Sequence, residues 1–170
     1  LDRTFQSIRA VARVLIINNA GELLLCRSRD GRAWVPPGGT LDPGETLAVA
    51  ALREADEEAG LAVELGPMVY LQEFAPAHRP ERVLEVAFRA LAPIDRPSPE
   101  RRAGPLGGPE RPWAAWTIQD LDGPVREVRW FSPQALADLP DPVYPPYLRD
   151  RFWQEDRSAA NPYLGLVQGS

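Results

Sequence analysis

Seven residues between Gly39 and Gly60 have the types and spacing for metal-assisted phosphate chemistry: Gly39, Glu45, Arg53, Glu54, Glu57, Glu58 and Gly60. Thr46 to Ala59 contains no Gly or Pro and is rich in Ala, Leu and Glu, so it is expected to be a helix. Pro43 and Gly44 precede it as a turn, and Gly60 follows as a left-handed stop. At ~100° per residue, with Arg53 at zero, Glu57 falls near ~40°, Glu54 near ~100° and Glu58 near ~140°. Three carboxylates share one face. Ala48, Leu52, Ala55 and Ala59 fall between roughly 200° and 260°, an apolar stripe expected to lie on a sheet.

An acidic helix face is most often simply solvated. Here Glu54 repels Glu57 and Glu58 at three- and four-residue spacing, each pair costing about 0.2–0.5 kcal/mol. Glu57 and Glu58 also occupy the last turn, where the helix dipole disfavours anions. A divalent cation removes both penalties. One histidine, His78, and one cysteine, Cys26, cannot assemble a nitrogen- or sulfur-rich site. Hard oxygen ligands favour Mg²⁺ or Mn²⁺, which typically combine carboxylates with the phosphates of a substrate.

The pattern G-x5-E-x7-R-E-U-x-E-E-x-G-U, with U apolar, resembles the signature of the Nudix hydrolases and is met at every charged and glycine position. At a background of roughly 7% per identity, seven such matches coincide with a probability on the order of 10⁻⁸. The first U is Ala55, where the family usually has a larger aliphatic. Trp34 to Gly39 (WVPPGG) and Glu127 to Leu139 (EVRWFSPQALADL) also resemble family segments, so the similarity spans about Arg9 to Leu139.

The resemblance implies that Glu54, Glu57 and Glu58 bind divalent metal, that a backbone carbonyl of Gly38 or Gly39 adds a ligand, and that Glu45 faces the helix near the metal water or the arginine. Arg53 would hold a carboxylate in place. The implied reaction is attack of water on a phosphorus of a nucleoside diphosphate linked to another group. The general base would be Glu54 or a loop carboxylate; Glu54 is favoured, with Glu110, Asp120 and Asp122 as loop candidates.

The chain of 170 residues suits one domain, and no segment approaches the length of an apolar membrane span. The Val11 to Ile17 run, interrupted by Arg13, reads as a strand and not a signal peptide. A lone cysteine excludes an internal disulfide and fits a reducing cytoplasm. All nineteen basic residues are arginine, and a net charge of −5 gives no footprint for duplex nucleic acid. The charge also weighs against an RNA-decapping role. The expected partner is a small nucleotide, with neither membrane nor nucleic acid; the oligomeric state is left open.

Ala10 to Asn18 and Glu22 to Arg29 flank a turn and read as a hairpin. Met68 to Phe74, Arg82 to Ala92 and Arg126 to Phe131 read as further strands, Pro133 to Leu139 as a short helix and Tyr147 to Arg157 as a terminal one. Such an order predicts an α/β fold, an α/β/α sandwich on a mixed sheet, as the Nudix resemblance also implies. Residues 93–112 are rich in proline and read as an irregular insertion, either disordered or a lid. As a lid it would bring Trp113 and Trp116 near a base, although core packing is the commoner fate of tryptophan. Arg27 and Arg29 share a face at a strand end and are candidates for gripping phosphate, or else plain edge arginines. Cys26 reads as a small core residue.

Within the family, Pro76 stands at the distance past the box that often accompanies ADP-ribose hydrolysis. Nucleoside di- or triphosphates are the first expectation, with ADP-ribose or a nucleotide sugar as the alternative. Two other classes share the scaffold. A non-catalytic nucleotide-binding regulator usually loses box glutamates, and all four are present. An isopentenyl diphosphate isomerase needs a reactive cysteine beside the metal.

Overall fold

A computed structural model of the chain describes residues 7–28, 31–75, 81–97, 125–154 and 162–168. Strand β1 (Ser7–Leu15) is an interior strand covered on both sides, since both its faces are apolar: Val11, Ala12, Val14 and Leu15 are all buried. It pairs parallel with β6 (Glu81–Pro97) and antiparallel with β4 (Gly38–Thr40). Strand β6 pairs antiparallel with β5 (Leu61–Ala75), which is joined in parallel by β8 (Tyr163–Gln168). The mixed sheet therefore runs β4-β1-β6-β5-β8. A second, antiparallel sheet runs β3-β2-β7, built from β3 (Trp34–Val35), β2 (Leu23–Ser28) and β7 (Val125–Phe131).

Helix α1 (Leu47–Ala59) packs on β1, β4 and β5. Thr46 caps it by accepting from the Val49 amide, and Gly60 ends it at φ 66°. Two apolar clusters flank the strands. Ala12, Val14, Leu24, Cys26, Val63 and Val128 face the alanines of α1. Leu15, Leu23, Leu25, Trp34, Tyr70 and Phe131 face α2 (Pro133–Asp138), a 3₁₀ turn (Pro146–Leu148) and α3 (Arg151–Gln154). Strand alternation sends neighbouring residues to opposite layers, which makes a mixed sheet flanked by helices, the expected α/β/α arrangement.

Several sequence expectations change. The anticipated hairpin exists only at its turn, where Asn18 accepts from Gly21 and the Leu24 amide reaches Ile16. Beyond that, β1 and β2 part into different sheets, because each is apolar on both faces and needs cover on both. Strand β6 continues to Pro97, so 93–97 is ordered strand and not part of an irregular insertion; residues 98–112 lie outside the described residues. Pairing with β1 stops at Arg89, before Pro93 and Pro97, so among the described residues that edge of β6 has no ladder there for a proline to break. Of the expected terminal helix, the described residues show the 3₁₀ turn and the four residues of α3, and residues 155–157 lie outside them; β8 was not foreseen.

The largest correction concerns α1. Ala48, Val49 and Leu52 are exposed, while Ala50, Ala51, Glu54, Ala55, Glu58 and Ala59 are buried. The helix does not divide into a core side and a chemical side. Its buried face carries two of the carboxylates.

Candidate active site

The site is assembled where the end of α1 meets the Pro36–Thr40 segment. Glu58 turns inward and accepts the Gly38 amide at 2.8 Å. Glu54 lies against Gly39 so closely that a methyl group there would collide with its carboxylate. Gly38 is held at φ 149°, and a methyl on it would strike Ala12 and Arg13. Only glycine fits either position without displacing strand or carboxylate.

Arg53 organises the acids from the helix rim. It donates from Nε and Nη2 to the two oxygens of Glu45, each at 2.9 Å, and from Nη1 to Glu54 and Glu57 at 2.9 and 3.0 Å. Nη2 also reaches the Thr40 carbonyl at 3.2 Å. The like-charge repulsion along α1 is thus offset in part by an arginine of the same helix. Glu45 accepts the Asp42 amide as well, and the hydrogen bonds from Arg53 and Asp42 hold its carboxyl down at about 2.

The buried pair behaves oppositely. Desolvation pushes Glu58 up to about 7, with the nearby Glu54 and Glu57 adding to the rise while the Gly38 amide and Arg13 oppose it. Desolvation also raises Glu54, against the pull of Arg53. Burying charge in this way costs several kcal/mol per ion unless a cation compensates.

Among the described residues, no three His, Cys, Asp or Glu side chains converge closely enough to hold a metal ion. Arg53 draws Glu54 and Glu57 toward itself, and Glu58 docks on the Gly38 amide. Each still keeps one oxygen, Glu54 Oε2, Glu57 Oε1 and Glu58 Oε1, that accepts no hydrogen bond among the described residues. All-oxygen donors, two of them on desolvated carboxylates, are the chemistry that suits Mg²⁺ or Mn²⁺. The Gly38 carbonyl, a candidate ligand, also accepts from Arg13 Nη1.

Other candidates are placed elsewhere. Arg27 lies on the face of β2 opposite Cys26 and α1, where it meets Gly31 and Asp141 and covers the Trp34 ring at 5.5 Å. Cys26 is fully buried, and burial together with Glu58 pushes its thiol well above its ordinary range. Arg29, Pro76, His78, Glu110, Trp113, Trp116, Asp120 and Asp122 lie outside the described residues. Sequence reasoning passed over Arg13, Glu85 and Tyr70, which join in one buried network beside Gly38. A charged residue within an apolar strand was the available signal.

The NUDIX domain model matches residues 7–150. The chain belongs to the Nudix family. With its box intact, this Nudix protein is a hydrolase. An RNA pyrophosphohydrolase of Erythrobacter litoralis is 36% identical over 149 residues, covering 77% of this chain and 80% of that protein. Another, from Novosphingobium aromaticivorans, is 28% identical over 144 residues, covering 77% and 81%. The MutT protein of Methanosarcina mazei shares the fold at a TM-score of 0.60 and 22% identity, over 92% of this chain and 98% of that one. No helix among the described residues is long and apolar enough to cross a membrane.

Proposed function

We propose that this Nudix hydrolase uses Mg²⁺ or Mn²⁺ to cleave a phosphoanhydride bond in small nucleotides, nucleoside di- or triphosphates foremost, releasing a nucleoside monophosphate. The observation that carries this reading is the burial of Glu54 and Glu58 against the Gly38–Gly39 backbone, with Glu57 beside them and one open oxygen on each. An arrangement selected for stability alone would not bury two acids on an alanine face.

In this reading Glu54, Glu57 and Glu58, with the Gly38 or Gly39 carbonyl, hold the cation. When bound, the cation neutralises the diphosphate and acidifies water. Where Glu54 Oε2 is not engaged by the cation, it would take the proton from the attacking water, a role suited to a carboxyl whose proton affinity burial raises. Arg53 fixes the other oxygen of Glu54, and Glu45 fixes Arg53. Glu45 and Arg53 act by position.

The names of the two long relatives favour a second reading, removal of pyrophosphate from the 5′ end of RNA. The net charge of −5 argues against a long nucleic-acid contact, although a 5′ triphosphate alone needs none. ADP-ribose and nucleotide sugars are further substrates of the same bond class. An isomerase is disfavoured by the buried, protonated Cys26.

The deciding experiment is a panel of nucleoside triphosphates and diphosphates, ADP-ribose, nucleotide sugars and a 5′-triphosphorylated oligoribonucleotide, with Mg²⁺ or Mn²⁺ and product identification. Monophosphate from free nucleotides supports the first reading. Activity confined to the oligonucleotide supports the second. No turnover on any member would leave a nucleotide-binding regulator in their place.

A further inference from the structure

We propose that Arg13 is a positioning residue for the carboxylate site, fixing the Pro36–Gly38 backbone on which Glu58 docks. This rests on reading Glu58 as a cation-binding carboxylate.

Pro36 and Pro37 have no amide hydrogen, so this segment cannot be tied down by its own donors. Among the described residues the two prolines are held through their carbonyls. Val14 on β1 donates its amide to Pro37 at 2.9 Å. Arg13 Nη1 takes the carbonyls on either side, Pro36 at 3.0 Å and Gly38. Three consecutive carbonyls are therefore anchored on two adjacent residues of β1. The first amide after the prolines is that of Gly38, and it points at Glu58. The guanidinium sets the plane of the peptide units around Gly38, and with it where Glu58 rests.

Arg13 is itself fixed from behind. Its Nε donates to Glu85 Oε2 at 3.0 Å, and Glu85 Oε1 accepts the hydroxyl of Tyr70 at 2.8 Å. Tyr70 is fully buried, and the arginine and glutamate are mostly so. Glu85 neutralises the guanidinium, while the planar fork leaves Nη1 for the two carbonyls. A lysine in this place would satisfy Glu85 or the loop, without the geometry to hold both. A buried pair whose only role was to close the core would have no need to reach the glycine loop.

The test uses the full chain and Mn²⁺ alone as probe. Mn²⁺ affinity is measured by electron paramagnetic resonance or calorimetry, alongside kcat and KM for the best nucleotide and the thermal midpoint. Arg13→Lys and Arg13→Gln are expected to weaken Mn²⁺ binding by about tenfold, as removal of supporting groups typically does. They should lower kcat with little change in KM. Arg82→Gln, which breaks the ion pair to Glu73 on the other side of β6, should lower the thermal midpoint and leave Mn²⁺ affinity alone. A folded Arg13 variant with wild-type Mn²⁺ affinity and kcat overturns the proposal, as does an equal loss of affinity in Arg82→Gln. Should neither Arg13 variant fold, Glu85→Asp retracts the acceptor and draws Arg13 off the loop. It should weaken Mn²⁺ binding, and an unchanged affinity overturns the proposal. Wild-type protein that binds no Mn²⁺ and turns over no nucleotide instead removes the proposed function beneath it.

Discussion

Arg53 and Glu45 are joined by two parallel hydrogen bonds of 2.9 Å, eight residues apart, with Glu45 at the end of the turn that leads into α1. The pair fixes the entry loop to the middle of the helix and leaves Nη1 free to hold Glu54 and Glu57. A bidentate guanidinium–carboxylate contact of this kind resists rotation, which a lysine at position 53 would not.

The first prediction follows from the charge of Glu45. Its carboxyl is held at about 2 in the folded protein, below the ordinary glutamate value of about 4.3. Its contribution to stability is therefore complete above the unfolded value and lost as pH falls toward 2. Glu45→Gln should lower the thermal midpoint at neutral pH, with the difference closing in acid. A difference that stays constant between pH 7 and pH 2 would show that the ion pair is not its source.

Glu58 carries the opposite sign. Burial raises its folded value to about 7, so between about 4.5 and 7 the folded state binds a proton that the unfolded chain has released. Metal-free protein should lose stability as pH rises through that window, by up to roughly 3 kcal/mol if the shift were expressed in full. Mg²⁺ should restore it at neutral pH. Denaturant titration at several pH values, with and without Mg²⁺, reads this directly. Glu58→Gln should flatten the dependence.

Glu57→Gln and Glu58→Gln are each expected to reduce cation-dependent turnover by about a hundredfold, the scale of losing support for a bound metal. Their effects on stability should differ. Glu58 is buried among like charges and should become easier to fold around as glutamine. Glu57 is exposed and bonded to Arg53, so its replacement should be nearly neutral. Steady-state kinetics paired with thermal melts separates the two, and a fully active variant at either position would remove that residue from the proposed ligand set.

Much of this site was legible in the sequence because it is local. Box spacing, the Thr46 cap and the Gly60 stop all lie within one helix and its ends. The orientation of the helix was not legible. Any periodicity scheme counts glutamate as a polar residue, so Leu52 was assigned to the core and Glu58 to the opposite, chemical face, whereas Leu52 is exposed and Glu58 buried. Desolvated carboxylates are where function overrides the hydrophobic pattern. Partners distant in sequence were hidden too. Arg13 meets Glu85 across 72 residues, and neither strand alone advertises the other.

Gly39→Ala tests how closely the strand and helix must approach. A methyl group there would overlap the Glu54 carboxylate, so either the side chain or β4 must move. The expected result is a folded protein destabilised by about 1–3 kcal/mol, with turnover reduced far more than nucleotide binding. Chemical denaturation and a kcat–KM comparison measure the two effects. Wild-type turnover in the alanine variant would place the working position of Glu54 away from Gly39.

Strand β8 is the element that sequence reading missed, and its attachment explains why. It pairs in parallel with β5 through only a short register, and Gly165 in its centre weakens the strand pattern. What holds it is long-range: the Tyr163 hydroxyl donates to Glu73 at 2.9 Å, Arg82 grips the other oxygen of Glu73 at 2.9 Å, and the Leu71 amide reaches the Pro162 carbonyl. Glu73→Ala removes the acceptor for both side chains at once. Because these contacts are partly exposed, the cost should be about 1 kcal/mol. Hydrogen exchange should quicken at Leu164 to Val167, while turnover is unaffected, since β8 sits at the sheet edge farthest from β4 and the carboxylates. Exchange at β8 unchanged by Glu73→Ala would mean that the backbone ladder alone keeps the strand in place.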